Sequence, residues 1–159
     1  MAETVQNGSA KLWPRRRLLA LGGAAALAGA GGLWLRAQPP RHGQPRLGTE
    51  QAWARVQAGT VLLVDIRRPE EWRATGVPAG SRPIDMRRAD FAAAVRAASG
   101  AADLPVALIC ARGVRSARMV RALAAEGLPT IADVPEGMLG SAAGPGWIAR
   151  GLPVVPWRA

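Results

Sequence analysis

The clearest structural signal in this sequence lies in one run of residues: Val106-Ala107-Leu108-Ile109-Cys110-Ala111-Arg112-Gly113-Val114-Arg115-Ser116. Its first four residues are uninterrupted and apolar, which is typical of a strand buried on both faces of a parallel sheet. The glycine permits a tight turn, and a helix is predicted from Ser116 to Glu126. The run therefore predicts a strand, a short loop and a helix, with Cys110 where the strand ends.

The same alternation of short apolar strands and amphipathic helices recurs through the rest of the chain. Further strands are predicted at 61–64, 82–85 and 130–134, and further helices at 50–57 and about 90–98. This alternation indicates an open, mostly parallel α/β sheet. Ligands of such sheets bind beyond the carboxyl ends of the strands. Asp65 and Cys110 each follow a strand directly, so both are predicted to lie at that edge.

Cys110 is the only cysteine of the 159 residues, so it has no partner for an intramolecular disulfide. The loop amides and the first N–H groups of the following helix can converge on its position, where the helix dipole adds partial positive charge. Arg112 and Arg115 add fixed positive charge, and such surroundings favour the anionic form of a thiol. A buried, inert cysteine is the alternative. The glycine and arginines that follow favour a nucleophilic thiolate facing an anionic substrate.

Asp65 and Arg67 are predicted to support the loops at this edge. A carboxylate near Cys110 would disfavour the thiolate, so Asp65 is expected to be held by Arg67 or by loop amides and not to act as a base. The only histidine, His42, lies in a proline-rich stretch, so neither a Cys–His dyad nor a histidine-based triad is expected. With one cysteine and one histidine, no metal site is expected, and no cofactor is predicted.

The N-terminal residues differ from the rest of the chain. Residues 14–20, Pro-Arg-Arg-Arg-Leu-Leu-Ala, resemble a twin-arginine export signal, and the 18 uncharged residues 18–35 are at the lower limit for a membrane-spanning helix. A cleaved signal and an uncleaved anchor both stay open. We expect residues 1–37 to be an export signal or membrane anchor, 38–46 a Pro-rich linker and 47–159 the folded domain. The positive charge before the apolar run predicts a periplasmic domain, soluble or anchored to the inner membrane through residues 18–35.

The net charge of +10 raises the question of nucleic-acid binding. The arginines are spread along the chain, and the sequence has one Phe and no Tyr to interleave with them. Nucleic acid is therefore not expected as a partner. An attraction for small anions is the inference that the composition supports.

Four segments of the chain, in this order, resemble the rhodanese-like sulfurtransferases. Residues 61–67 are similar to the family's strand ending in Asp-x-Arg, 69–72 to its Pro-x-Glu-aromatic helix start, 110–115 to its active loop Cys-x-x-Gly-x-Arg, and 136–138 with Trp147 and 151–154 to its closing segment. Val77 stands where the family usually has a histidine. The resemblance implies a single open, mostly parallel five-stranded sheet with helices on both faces.

The resemblance also implies roles for the loop. Cys110 would carry a persulfide, the loop amides would cradle the transferred sulfur, and Arg115 would orient an anion. The residues assigned to substrate binding are Ala111, Arg112, Gly113, Val114, Arg115 and Ser116.

Loop length separates sulfur chemistry from phosphate chemistry. Cysteine phosphatases place the arginine six residues after the cysteine, and Ser116 occupies that position here. The shorter loop of the rhodanese-like family goes with sulfur. We therefore expect a sulfurtransferase that takes sulfane sulfur from thiosulfate or a persulfide donor and gives it to a thiol or cyanide. A non-catalytic or redox-sensing binding module, tethered to the membrane, is the alternative, since an accessible thiolate is open to oxidation.

Overall fold

The computed structural model describes residue 39 and residues 41–100, 104–128 and 130–158. In chain order the elements are α1 (Thr49–Gln57), β1 (Leu62–Asp65), α2 (Pro69–Thr75), β2 (Val77–Pro78), β3 (Arg82–Pro83), α3 (Phe91–Ser99), β4 (Val106–Ile109), α4 (Val114–Ala125), β5 (Ile131–Val134) and β6 (Val154–Val155).

The main sheet consists of four parallel strands in the order β3-β1-β4-β5. The predicted α/β architecture with an open parallel sheet is thus confirmed, but the predicted number of five strands is wrong for the described residues. Beside β5 there is only an isolated parallel bridge between Arg46 and Asp133. Pro45 precedes this bridge and has no N–H to donate, and the chain turns into α1 after Gly48. Both features prevent a longer fifth strand.

Helices cover both faces of the sheet, as predicted. On one face, α3 and α4 pack with Val64, Leu108 and Ile131 into one hydrophobic cluster. On the other face, α1 packs with Leu63, Ile109 and the fully buried Trp147. All four residues of β4 are buried because side chains on both of its faces lie under these layers. This double burial explains the uninterrupted apolar run at 106–109.

The strands β2 and β6 form a separate antiparallel pair, in which Val77 lies opposite Val155. This pair was not predicted, because strands of two residues are too short to carry a periodic signal, and β2 also contains a proline. The Trp147 indole N–H donates to the carbonyl of Pro153 at 2.9 Å and fixes the approach to β6. The segment after β5 is thereby held next to β2 through β6.

The segment before α1, predicted as a linker, has specific contacts with the domain. The Pro45 carbonyl accepts a hydrogen bond from the Asp133 N–H, and the Leu47 N–H donates to the Asp133 carbonyl, both at 2.9 Å. The predicted export signal or anchor, residues 1–37, lies outside the described residues, and the domain boundaries stay predictions. No helix in the part of the chain that the structure describes has the length and apolar character needed to cross a membrane.

Candidate active site

Cys110 directly follows β4 and is 1% exposed. Its thiol donates to the Ser116 hydroxyl with an Sγ–Oγ distance of 3.5 Å. The Ser116 hydroxyl in turn donates to the Gly113 carbonyl at 3.1 Å. The sulfur therefore lies against the first turn of α4, at the carboxyl end of the central strand, where the sequence placed it.

The loop between Cys110 and α4 depends on a left-handed glycine. Gly113 is the N-cap of α4 with φ of +79°, and its carbonyl accepts the first helical hydrogen bond, from the Ala117 N–H. A Cβ at Gly113 would collide with the carbonyl oxygen of Pro135. The N–H groups of Val114 to Ser116 precede that first helical bond, so they carry the positive end of the helix dipole at the loop.

A second segment holds the loop from the other side. The Met138 N–H donates to the Cys110 carbonyl and the Leu139 N–H donates to the Ala111 carbonyl, both at 2.9 Å. Gly137 lies against the loop backbone and has φ of +68°. A Cβ at Gly137 would lie 2.6 Å from the Ala111 carbonyl oxygen and 2.8 Å from the Arg112 nitrogen. Residues 137–139 therefore pack directly against the backbone of the loop.

We expect Gly137→Ala to lower turnover far more than Gly59→Ala does. The added methyl group has to displace the backbone at Ala111 and Arg112, and a loop displaced by a fraction of an ångström would lower turnover by at least about tenfold. Gly59→Ala is the matched control: Gly59 has φ of +65° and nothing within 4 Å of its Cβ position, so it isolates the cost of the positive φ. That cost is about 1 to 2 kcal/mol. Equal activity losses in the two variants would contradict the role assigned to Gly137.

Arg115 forms a bidentate ion pair with Glu71. Its two terminal nitrogens lie 2.7 Å and 2.6 Å from the two carboxylate oxygens. This contact raises the pKa of Arg115, to which Cys110 adds a smaller contribution, and it lowers the pKa of Glu71. Glu71 also accepts a hydrogen bond from the Arg68 N–H at 3.0 Å and so caps α2. Arg115 therefore joins α4 to α2, and Arg112 is the exposed cation of the loop.

The lowered pKa of Glu71 gives a pH-dependent contribution to stability. The folded state favours the charged Glu71 carboxylate. The stabilisation is therefore complete at pH values above the ordinary pKa of 4.5, and it is lost as the pH falls through the lowered pKa of the folded state. We expect Glu71→Gln to cost about 1 kcal/mol or less near neutral pH, because the pair is partly exposed and solvent screens it. Urea unfolding at a series of pH values should show this difference shrinking below pH 4.5. A difference independent of pH would contradict the assignment.

Asp65 and Arg67 form a buried ion pair at the same edge. The Arg67 Nη2–Asp65 Oδ2 distance is 2.7 Å, and the two side chains are 1% and 0% exposed. Arg67 also donates to the Thr75 hydroxyl and the Gly76 carbonyl, each at 2.7 Å. The pair thus ties the end of β1 to the end of α2. It does not contact Cys110 through any of these bonds.

Three further polar residues make buried or partly buried contacts that were not predicted from the sequence. Glu136 is buried and accepts hydrogen bonds from the Thr49 and Gly146 N–H groups and from Arg150. Asp133 lies inside β5, is fully buried, and has an Oδ2–Nε2 distance of 3.2 Å to His42. The sequence did contain a signal for the buried Asp133, because it is a charged residue inside the otherwise apolar run 131–134. Nothing in the sequence pattern around His42 pointed to this contact.

Comparisons with known proteins bear on the family and the fold of the chain. The family model of the rhodanese-like domain matches residues 48–142 of this chain. No curated protein matches the chain.

Solved structures of similar fold include three with informative descriptions. A polysulfide-sulfur transferase homodimer from Wolinella succinogenes is 25% identical, with a TM-score of 0.56 over 70% of this chain and 78% of that one. A protein of unknown function from Rhodopseudomonas palustris, described as a possible tyrosine phosphatase, is 26% identical, with a TM-score of 0.56 over 70% and 85%. A rhodanese-related protein from Thermoplasma volcanium is 28% identical, with a TM-score of 0.52 over 71% and 99%.

Proposed function

The chain belongs to the rhodanese-like domain family, and from this premise we propose that it is a sulfurtransferase in which Cys110 carries sulfane sulfur as a persulfide. One observation carries the proposal: the only thiol of the chain lies at the carboxyl end of the inner strand β4, against the N-terminal turn of α4. That position offers helix N–H groups to a sulfur anion. The similarity to a polysulfide-sulfur transferase supports the same chemistry.

The reaction has two steps. With thiosulfate as donor, the Cys110 thiolate attacks the outer sulfur, a new S–S bond forms, and the S–S bond of the donor breaks so that sulfite leaves with the electron pair. A thiol or cyanide acceptor then attacks the outer sulfur of the persulfide, and Cys110 leaves as a thiolate. In both steps negative charge lies on Cys110, where the N–H groups of the loop and the first turn of α4 stabilise it.

The surroundings of Cys110 favour a small anionic donor. Because the residue is 1% exposed, we expect a small donor to reach its thiol more readily than a bulky one. Arg112 is the exposed loop cation that attracts the anion, while Arg115 is occupied by Glu71 and supports the loop. The position that would carry the phosphatase arginine is Ser116, which is buried against the thiol. This arrangement supports sulfur transfer over phosphate hydrolysis.

The proposal includes the partners and the location. The donor is thiosulfate or a persulfide, and the acceptor is a thiol or cyanide. The basic, apolar N-terminal residues support a periplasmic domain, released or held at the inner membrane through residues 18–35.

Intact-mass measurement of the full chain after incubation with thiosulfate tests the proposal. We expect a mass gain of one sulfur, its loss on addition of cyanide, and ping-pong kinetics for the complete reaction. A chain that takes up no sulfur from thiosulfate or from persulfide donors would contradict sulfur transfer. The same site would then be assigned to a tethered binding or redox-sensing module.

A further inference from the structure

The surface beside the active loop is formed by an uncharged segment, residues 137–149. Charged residues make up 20% of the whole sequence, yet this segment contains none. Two of its large side chains, Leu139 and Ile148, are 46% and 40% exposed. The Leu139 N–H donates to the Ala111 carbonyl of the loop, and the Ile148 N–H donates to the Met138 carbonyl at 3.1 Å. The segment therefore presents apolar side chains to solvent next to the loop.

Hydrogen bonds hold the uncharged segment in place. The Ser141 hydroxyl donates to the Pro135 carbonyl at 2.8 Å, and Ser141 forms an isolated bridge with Gly144. The Gly146 N–H donates to the buried Glu136 carboxylate at 3.2 Å. A surface that is already ordered loses little conformational entropy when a partner binds. Thiosulfate and cyanide are small polar ions that gain nothing from apolar contacts, so these exposed side chains favour a larger partner.

The loop adds an unpaired cation to this surface. Six arginines lie in the loops that follow β1, β3 and β4 or in the first helical turn beyond them. Five of them form ion pairs: Arg67, Arg68, Arg87, Arg88 and Arg115. The sixth, Arg112, is exposed and has no ion pair with any residue that the structure describes. An exposed cation beside apolar side chains is complementary to a partner that carries an acidic residue beside apolar ones.

These charges favour a polypeptide over two other partners. A second copy of the chain also has a net charge of +10, and a two-fold contact would place both copies of Arg112 in one interface. Anionic lipids are typically recognised by clusters of about four to eight Lys or Arg residues. Among the described residues of this face, Arg112 is a single unpaired cation. Neither a second copy nor a membrane therefore fits the face as well as an acidic polypeptide does.

We propose that the face formed by Arg112, Leu139 and Ile148 binds the sulfur acceptor, and that this acceptor is a polypeptide whose cysteine has apolar and acidic neighbours. The proposal rests on the proposed function of Cys110 and identifies the acceptor class of its second step. The acceptor thiol releases its proton to water, and its thiolate attacks the outer sulfur of the persulfide, about 2 Å beyond Cys110 Sγ. An S–S bond forms on the acceptor, and Cys110 leaves as a thiolate with the electron pair.

Transfer from the preformed persulfide of the full chain to three synthetic peptides tests the proposal. The peptide cysteine is flanked by leucine and glutamate, by leucine and lysine, or by serine and glutamate. Each rate is divided by the rate of the same peptide with a small neutral disulfide, which corrects for the reactivity of its thiol. Wild type should then prefer the leucine–glutamate peptide by about tenfold over each of the others. Equal corrected rates for the three peptides would overturn the proposal.

Three variants assign this preference to individual residues. Ile148→Ser should remove the advantage of leucine over serine but leave transfer to cyanide unchanged, and Arg112→Gln should remove the advantage of glutamate over lysine. Val154→Ser is the matched control, because Val154 is 43% exposed but lies in β6, which pairs with β2. It should behave as wild type. Equal losses in Val154→Ser and Ile148→Ser would contradict binding at this face.

A second measurement needs no sulfur transfer. The leucine–glutamate peptide, with serine in place of its cysteine, should slow alkylation of Cys110 by iodoacetamide about threefold when present at twice its Kd. Ile148→Ser should remove this protection. Protection without persulfide formation would leave the binding face standing while the proposed function fails, whereas a persulfide without protection would overturn the binding face alone.

The same measurement distinguishes the two other partners. Vesicles of anionic lipid could protect Cys110 in place of the peptide, or sedimentation could show self-association of the chain. If either effect is present in wild type and lost in Ile148→Ser, the face binds a membrane or a second copy, and the proposal is overturned.

Discussion

Cys110→Ser should take up no sulfur from thiosulfate and should lose turnover by about 10³-fold or more. The replacement removes the sulfur atom that forms the persulfide, and a serine hydroxyl is a weak nucleophile at neutral pH. The fold should remain, because the new hydroxyl has the Ser116 Oγ as a hydrogen-bond partner in place of the thiol. We expect a stability change of about 1 kcal/mol.

The measurement combines thiosulfate-to-cyanide turnover with intact mass after exposure to thiosulfate. Urea unfolding of the same variant shows whether a loss of activity comes from a loss of structure. Turnover that persists in a folded Cys110→Ser protein would place the transferred sulfur on another group and would overturn the proposed function.

Arg67→Ala should destabilise the domain by about 3 to 5 kcal/mol, since it leaves a buried carboxylate without its partner. Asp65 is 0% exposed, and after the substitution the Arg67 backbone N–H is the remaining donor to it from this residue. The carbonyl of Gly76 also loses its charged donor. The chain connection between β1 and β2 would lose the bonds that fix it.

The chain contains a matched control for this substitution. Asp85 and Arg87 repeat the spacing and the geometry of Asp65 and Arg67, with an Arg87 Nη2–Asp85 Oδ2 distance of 2.6 Å, but the Arg87 side chain is 54% exposed. Arg87→Ala should be indistinguishable from wild type in urea unfolding, because exposed ion pairs contribute little. Equal destabilisation by the two substitutions would show that burial is not the source of the Arg67 contribution.

The parts of the fold that could be predicted are those with continuous local signals. The run 106–109 gave β4 with its observed bounds, because burial on both faces requires four apolar residues in succession. Helix α4 begins at Val114, two residues before the predicted start, because Gly113 already acts as its N-cap. The predicted strand at 82–85 is shorter in the structure, since Asp85 turns back to bind Arg87.

In the candidate site, too, the local geometry could be predicted and the long-range contacts could not. The residues 110–116 follow one another in the sequence, so their local geometry could be derived from loop and helix rules. Glu71 and Arg115 are 44 positions apart, and His42 and Asp133 are 91 apart. Such contacts depend on strand order and register, which a single sequence does not specify. The ion pair of Arg115 with Glu71 and the burial of the Asp133 carboxylate could therefore be found only from the three-dimensional structure.

From the pairing of β2 with β6 we also expect an order of events during folding. Val77 and Val155 are opposite each other, so most of the domain lies within the loop that this pair closes. Closing a loop of this length is entropically unfavourable, and its contacts are made only after the residues between them have been organised. The four-stranded sheet and α4 can form from residues up to 134. The residues that cover the loop, Gly137 and Met138, depend on later residues: the Trp147 N–H donates to the Gly137 carbonyl, and the Trp147 indole donates to the Pro153 carbonyl. We therefore expect Cys110 to be placed early in folding and covered late, so that a nascent or partly folded chain exposes its nucleophile before residues 137–138 restrict what reacts with it.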